Sequence, residues 1–162
     1  MKTIAIALSL LLSCSGPVLA GTDAAASKPP LIGVWAVDTA RLPMPPAARP
    51  KSVTISFSEA EGGRLKALVE VIDPSGAPLR AEGVTPLDGS ATAVSSNFEA
   101  DMSATTMPRP EVLIMQLAKG GVPASTRIYT VLEDGNSMLE TVAFFSADGK
   151  PVFRKNYFSR LR

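Results

Sequence analysis

The residues whose types and spacing could do chemistry are few. Glu140, Arg154 and Asn156 are the best placed to act together. Pairing Phe145 with Pro151 across the 146–150 turn sets Glu140 opposite Asn156 and diagonal to Arg154 on one sheet face. Buried, these groups must pair, and they could anchor the polar head of a ligand. The opposite phase of the alternation puts the same three on a solvated face. Glu59 and Glu61, or Asp134, could be imagined as carboxylates for acid–base work, but they flank glycine turns, where acidic residues are ordinary solvated punctuation. Met102, Met107 and Met115 could form a thioether site for Cu(I), although core filling is the simpler use of methionine.

The chain has no histidine, and its one cysteine is Cys14. Ser-His-Asp and Cys-His catalysis are therefore excluded, as is a zinc site built on His or Cys. Neither Glu-Asp-Gly-Asn (133–136) nor Ala-Asp-Gly-Lys (147–150) has the alternating oxygen ligands of a calcium loop. No enzyme signature, metal or cofactor motif remains, so the expectation is a non-catalytic protein without a cofactor, with catalysis by carboxylates alone in a cavity as the distant alternative. Sixteen basic residues stand against fifteen acidic ones. A near-neutral chain without a basic run does not suit nucleic acid, whose affinity comes from neutralised phosphates.

These residues sit behind an export signal. Lys2 gives a positive start, residues 4–12 are an apolar run too short to span a bilayer, and Val18-Leu19-Ala20 supplies small residues before Gly21. Residues 1–20 are therefore expected to be a signal peptide, with the protein periplasmic or secreted. A competing reading takes Leu11-Leu12-Ser13-Cys14 as a lipobox, which would acylate Cys14 and make an outer-membrane lipoprotein. Cleavage after Ala20 would leave no cysteine, so an oxidising compartment could add no disulfide. Residues 21–30 (GTDAAASKPP) read as a flexible leader, and residues 31–162 as one domain. No later segment is apolar for long enough to be a membrane helix.

From residue 31 onward the punctuation is that of an all-β chain. Apolar or alternating runs at 31–37, 52–58, 64–72, 79–84, 112–118, 126–132, 138–145 and 152–161 are separated by Gly, Pro, Asp and Asn clusters. A further strand near 98–102 is weakly marked. The proline-rich segment 38–50 should be extended, with polyproline character, and 85–97 reads as a small polar loop. A shift of 73 residues matches Pro50 to Pro123, Ser52 to Ser125, Ile55 to Ile128, Gly62 to Gly135, Val69 to Val142, Gly76 to Gly149 and Pro78 to Pro151. Hairpins reuse Gly and Pro at turns, but the constant offset also covers two apolar positions and favours duplication of a three-strand meander. The architecture expected is an antiparallel up-and-down β-barrel of about eight strands, closed or partly open.

Gly33-Val34-Trp35 on the first strand, the proline-rich link, Pro50-Lys-Ser-Val-Thr-Ile and the repeated Asp-Gly-x-Pro-type hairpins resemble the lipocalins and related small exported bacterial barrels. That resemblance covers nearly the whole chain after residue 20. It implies an apolar cavity for a small ligand, and an arginine of the last strand covering the tryptophan near the closed end. Arg154 or Arg160 matches by position. The disulfides and C-terminal helix of many lipocalins are missing.

On this reading Val53, Ile55, Phe57, Val69 and Val71 point inward, and the 73-residue offset turns Ile128, Val142 and Phe144 inward as well. The expected ligand-binding set is Trp35, Ile55, Phe57, Val69, Ile128, Glu140, Val142, Phe144, Arg154 and Asn156, and the expected partner is a small apolar or amphipathic molecule. The rival class is a structural or envelope-interaction protein whose barrel is filled, tethered through Cys14.

Overall fold

A computed structural model describes residues 28–96 and 98–161. The proposed signal peptide, Cys14 and most of the proposed leader lie outside the described residues. Among the described residues ten strands follow one another: β1 (Gly33–Val37), β2 (Ser52–Ala60), β3 (Arg64–Ile72), β4 (Pro78–Thr85), β5 (Asp88–Ser96), β6 (Met102–Arg109), β7 (Val112–Lys119), β8 (Val122–Val131), β9 (Ser137–Phe145) and β10 (Pro151–Arg160). Each pairs antiparallel with its neighbour in the chain, and β1 pairs with β10, so the sheet closes into an up-and-down barrel. Closure leaves no open edge for another chain to extend. Among the described residues no helix is long and apolar enough to cross a membrane.

Strict alternation drives this arrangement. On β2, Ile55 and Phe57 point inward and meet Val69 and Ala67 of β3 across the hairpin. On β10, Arg154, Asn156, Phe158 and Arg160 share the inner face, and Lys155 and Ser159 are exposed. The registers Pro151↔Phe145 and Asn156↔Glu140 are those expected from the 146–150 turn.

The count of ten exceeds the expected eight because residues 85–97 are not a loop. β5 and β6 occupy most of 88–109, and the weakly marked strand at 98–102 is mainly the link between them. Their inner positions include Thr92, Ser103 and Thr105, with Ser103 and Thr105 buried. A strand with small or polar residues on both faces carries no hydrophobic alternation to detect. The segment from 38 to 50 is less extended than proline content implied, with short 3₁₀ turns at Thr39–Arg41 and Pro46–Ala48. The Asp38 carboxylate caps the first by accepting from the Ala40 amide. Met102 faces outward whereas Met115 is buried in the core, so the three methionines do not converge.

The 73-residue offset does not preserve facing. Ile55 lies opposite Val69, but Ile128 lies opposite Thr141, one position short of Val142. Three residues separate the paired Ala60 and Arg64, whereas residues 132–137 separate Val131 from Met138. That one-residue slip turns Ile128 to the outer face and brings Arg127, Tyr129 and Val131 inside.

The end where β1 begins and β10 finishes is packed solid. Leu31, Trp35, Phe57, Leu65, Leu113 and Met138 are fully buried there, and Ala100, Met115 and Leu117 continue the packing up one wall. Trp35 Nε1 donates to the Leu31 carbonyl at 2.9 Å. The Arg160 guanidinium stacks 4.1 Å from the indole and donates to the carbonyls of Pro30, Ile32 and Gly135. Arg160, not Arg154, is the arginine over the tryptophan. Gly33 is required here: its φ of +150° disfavours a side chain, and a Cβ would collide with Arg160 Nη1.

Candidate functional site

The opposite end of the barrel is hollow. A cavity of about 550 Å³ opens there, within the range that small ligands occupy. Its walls are β-branched residues of β2 and β3, namely Val53, Ile55, Val69 and Val71. Its floor is aromatic. Tyr129 meets Phe57 edge-on at 5.3 Å and Phe158 at 6.3 Å, so three rings separate the cavity from the packed end.

Two segments frame the mouth. The 38–50 strap brings Leu42, Met44 and Pro50 to the lining, and Arg41 pins it by lying 3.3 Å over the Tyr157 ring. From the β5–β6 link come Phe98 and Glu99. That link is held by Lys119 Nζ donating to the Phe98 carbonyl at 2.8 Å, and by the Gly120 amide donating to Asp101 at 2.8 Å. Both frames are irregular chain, tied to the barrel by these side chains and by backbone bonds at their ends, Asp38 N–H to the Tyr157 carbonyl and Asp101 N–H to the Ala118 carbonyl.

One side of the cavity is polar, and its geometry follows from register. Two rows cross β8, β9 and β10: Arg127–Val142–Arg154, and beside it Tyr129–Glu140–Asn156. Glu140 is 1% exposed and sits where both rows reach it. Its Oε1 accepts from Arg127 Nη1 at 2.6 Å and its Oε2 from Asn156 Nδ2 at 2.5 Å. Tyr129 hydrogen-bonds into the same pair, and the other Arg127 Nη donates to Glu99 at the mouth. Burial raises the Tyr129 phenol well above its ordinary 10.0, and the neighbouring Glu140 charge adds to the effect. For Arg127, burial works against the charge, but Tyr129, Glu140 and Glu99 outweigh it and raise its pKa, so the guanidinium stays cationic.

Three buried polar atoms of this side have no partner: Arg127 Nε, Arg154 Nε and Asn156 Oδ1. Unpaired buried polar atoms are costly and call for an explanation where they cluster. Here the two donors and one acceptor belong to three residues that line one cavity.

Of the ten residues read from sequence as a binding set, Ile55, Val69, Glu140, Arg154 and Asn156 line the cavity. Trp35 and Phe57 belong to the packed end, and Val142 is buried in the wall between the two arginines. Phe144 lies 5.9 Å from the Arg154 guanidinium without lining the cavity, and Ile128 faces outward for the reason given above. The polar cluster forms with Arg127 in the place expected of Arg154. Arg127, Tyr129 and Glu99 were not singled out. The available signal was the 132–137 turn: centring the hairpin on Asp134-Gly135 pairs Val131 with Met138 and carries Tyr129 opposite Glu140. The chain matches no known family model and no curated protein.

Proposed function

We propose that this is an exported, non-catalytic binding protein that holds a small, partly apolar ligand in the open half of its barrel. The observation that carries the reading is the cavity of about 550 Å³ whose apolar walls, Val53, Ile55, Val69 and Val71, face a polar side made of Arg127, Glu140, Arg154 and Asn156. Apolar walls with a few convergent polar groups are what a small-molecule site needs. A lipocalin-like relationship is part of the proposal, supported by Gly33-Val34-Trp35 with Arg160 stacked on the indole. Export rests on residues 1–20, with cleavage after Ala20.

Native mass spectrometry of the protein, expressed with its own leader and recovered from the cell envelope, tests both parts. The expected species starts at Gly21 and carries a reproducible extra mass that is lost on denaturation. An acylated species starting at Cys14, with nothing bound and no saturable uptake of an apolar fluorescent probe, would overturn the carrier reading. A membrane-tethered structural barrel would replace it.

A further inference from the structure

Arg154 is the one cavity-lining cation among the described residues without an ion pair, and the reason lies in the register. Glu140 is diagonal to both Arg127 and Arg154. Its Oε1 is engaged by Arg127 and its Oε2 by Asn156, and Glu99 is bound to the remaining Arg127 nitrogen. Every carboxylate lining the cavity is therefore already engaged by another donor. Arg127 and Arg154 face Glu99 and Glu140, two charges of each sign, yet Arg127 lies between both acids. The four charges sum to zero, and the positive end of the arrangement is at Arg154. Its Nε is buried and bonds nothing, and the nearest aromatic, Phe144, is 5.9 Å away.

We propose that Arg154 receives the head of an amphipathic monocarboxylate whose apolar body lies along Val53, Val69 and Val71; this rests on the binding function proposed above. A planar carboxylate matches the guanidinium fork through two parallel N–H···O bonds and brings one negative charge, the number Arg154 can neutralise. A phosphate monoester would bring further negative charge with no cation to meet it, close to Glu140 and Glu99. An ammonium head would meet the free guanidinium with like charge.

The test compares dodecanoate, dodecanol, dodecyl phosphate and dodecylamine by displacement of an apolar fluorescent probe. It uses the full mature chain stripped of co-purifying lipid, at about pH 8, where the fatty acid is ionised. Dodecanoate should bind at least about tenfold more tightly than dodecanol, the usual scale of a charged hydrogen-bonded pair. Arg154→Gln should abolish that advantage, and Arg154→Lys should retain part of it as a point charge. Because Arg154 has no protein ion pair, the glutamine variant strands no buried charge, and an unchanged melting curve identifies it as folded. Equal binding of acid and alcohol, an acid preference that survives Arg154→Gln, or tightest binding of the phosphate or amine overturns the proposal while the cavity still binds. Failure of all four probes and of the dye overturns it together with the binding function beneath it.

Discussion

The two ends of this barrel are built from the same alternating strands and come out opposite. At the end where β1 begins and β10 finishes, Trp35, Phe57, Leu65, Leu113 and Met138 fill the interior. At the other, Val53, Val69 and Val71 leave a cavity of about 550 Å³. Strand number fixes the girth of a barrel, and side-chain volume then decides whether the space is filled. Polar groups divide in the same way. Arg160 at the packed end donates to three backbone carbonyls and stacks on Trp35, so its charge is fully engaged. At the hollow end Arg154 is unpaired and Asn156 leaves its carbonyl oxygen free. The polar groups of one end are fully engaged, and those of the other only in part.

The largest effect should come from the packed end. Trp35→Ala would empty a fully buried site and remove the surface on which Arg160 stacks. Truncations of this size cost about 3–5 kcal/mol. Val69→Ala, in the cavity wall, removes side-chain atoms that already border empty space, and should cost about 1 kcal/mol. Urea unfolding of the two variants measures both. Equal losses would mean that the cavity wall is packed as tightly as the closed end, and the contrast would fail.

Adding volume sharpens the comparison. Val131 is buried beneath the floor, so Val131→Phe should strain the packed end by about 1–3 kcal/mol. Val71 faces the cavity, so Val71→Phe should change stability by less than about 0.5 kcal/mol. The same variant should displace a bound apolar probe by occupying its space. If Val71→Phe were as damaging as Val131→Phe, the hollow end would be closed in solution.

The difference between the ends also explains what could be read in advance. Val53, Ile55 and Phe57 alternate against exposed or polar neighbours, so β2 and its partner β3 are legible from hydropathy. β5 and β6 are not, because Thr92, Ser103 and Thr105 on the inside differ little from the small residues outside. On β8 both phases are partly apolar: Ile128 competes with Tyr129 and Val131, and only hairpin register chooses between them. The offset repeat chose Ile128, and the six-residue spacing between Val131 and Met138 overrules it. Glu140 and Asn156 were placed correctly relative to each other because their hairpin carries a short, well-defined turn. Arg127 comes from the neighbouring hairpin, where the register was misread. A polar cluster spanning three strands requires two correct registers, and a local pattern supplied one.

The last effect is a pH dependence that appears only above pH 10 and belongs to the boundary between the two ends. Tyr129 forms the floor of the cavity with Phe57 and Phe158, and its hydroxyl points into the Glu140–Arg127 pair. Burial and the Glu140 charge hold its folded pKa well above 10.0. Below pH 10 the phenol is protonated in both folded and unfolded chains, so the stability linked to this proton is fully present. Above pH 10 the unfolded chain releases the proton while the folded chain keeps it, and stability falls by about 1.4 kcal/mol per pH unit until the folded pKa is reached. Unfolding monitored from pH 9 to 12 should therefore show an alkaline decline that is shallower in Tyr129→Phe. That variant should cost about 1 kcal/mol at pH 7, the net worth of one hydrogen bond. Phenolate absorbance followed over the same range should show Tyr129 ionising only as the barrel opens. Ionisation near pH 10 in the folded protein would mean that water reaches the phenol, and that the aromatic floor does not separate the two ends.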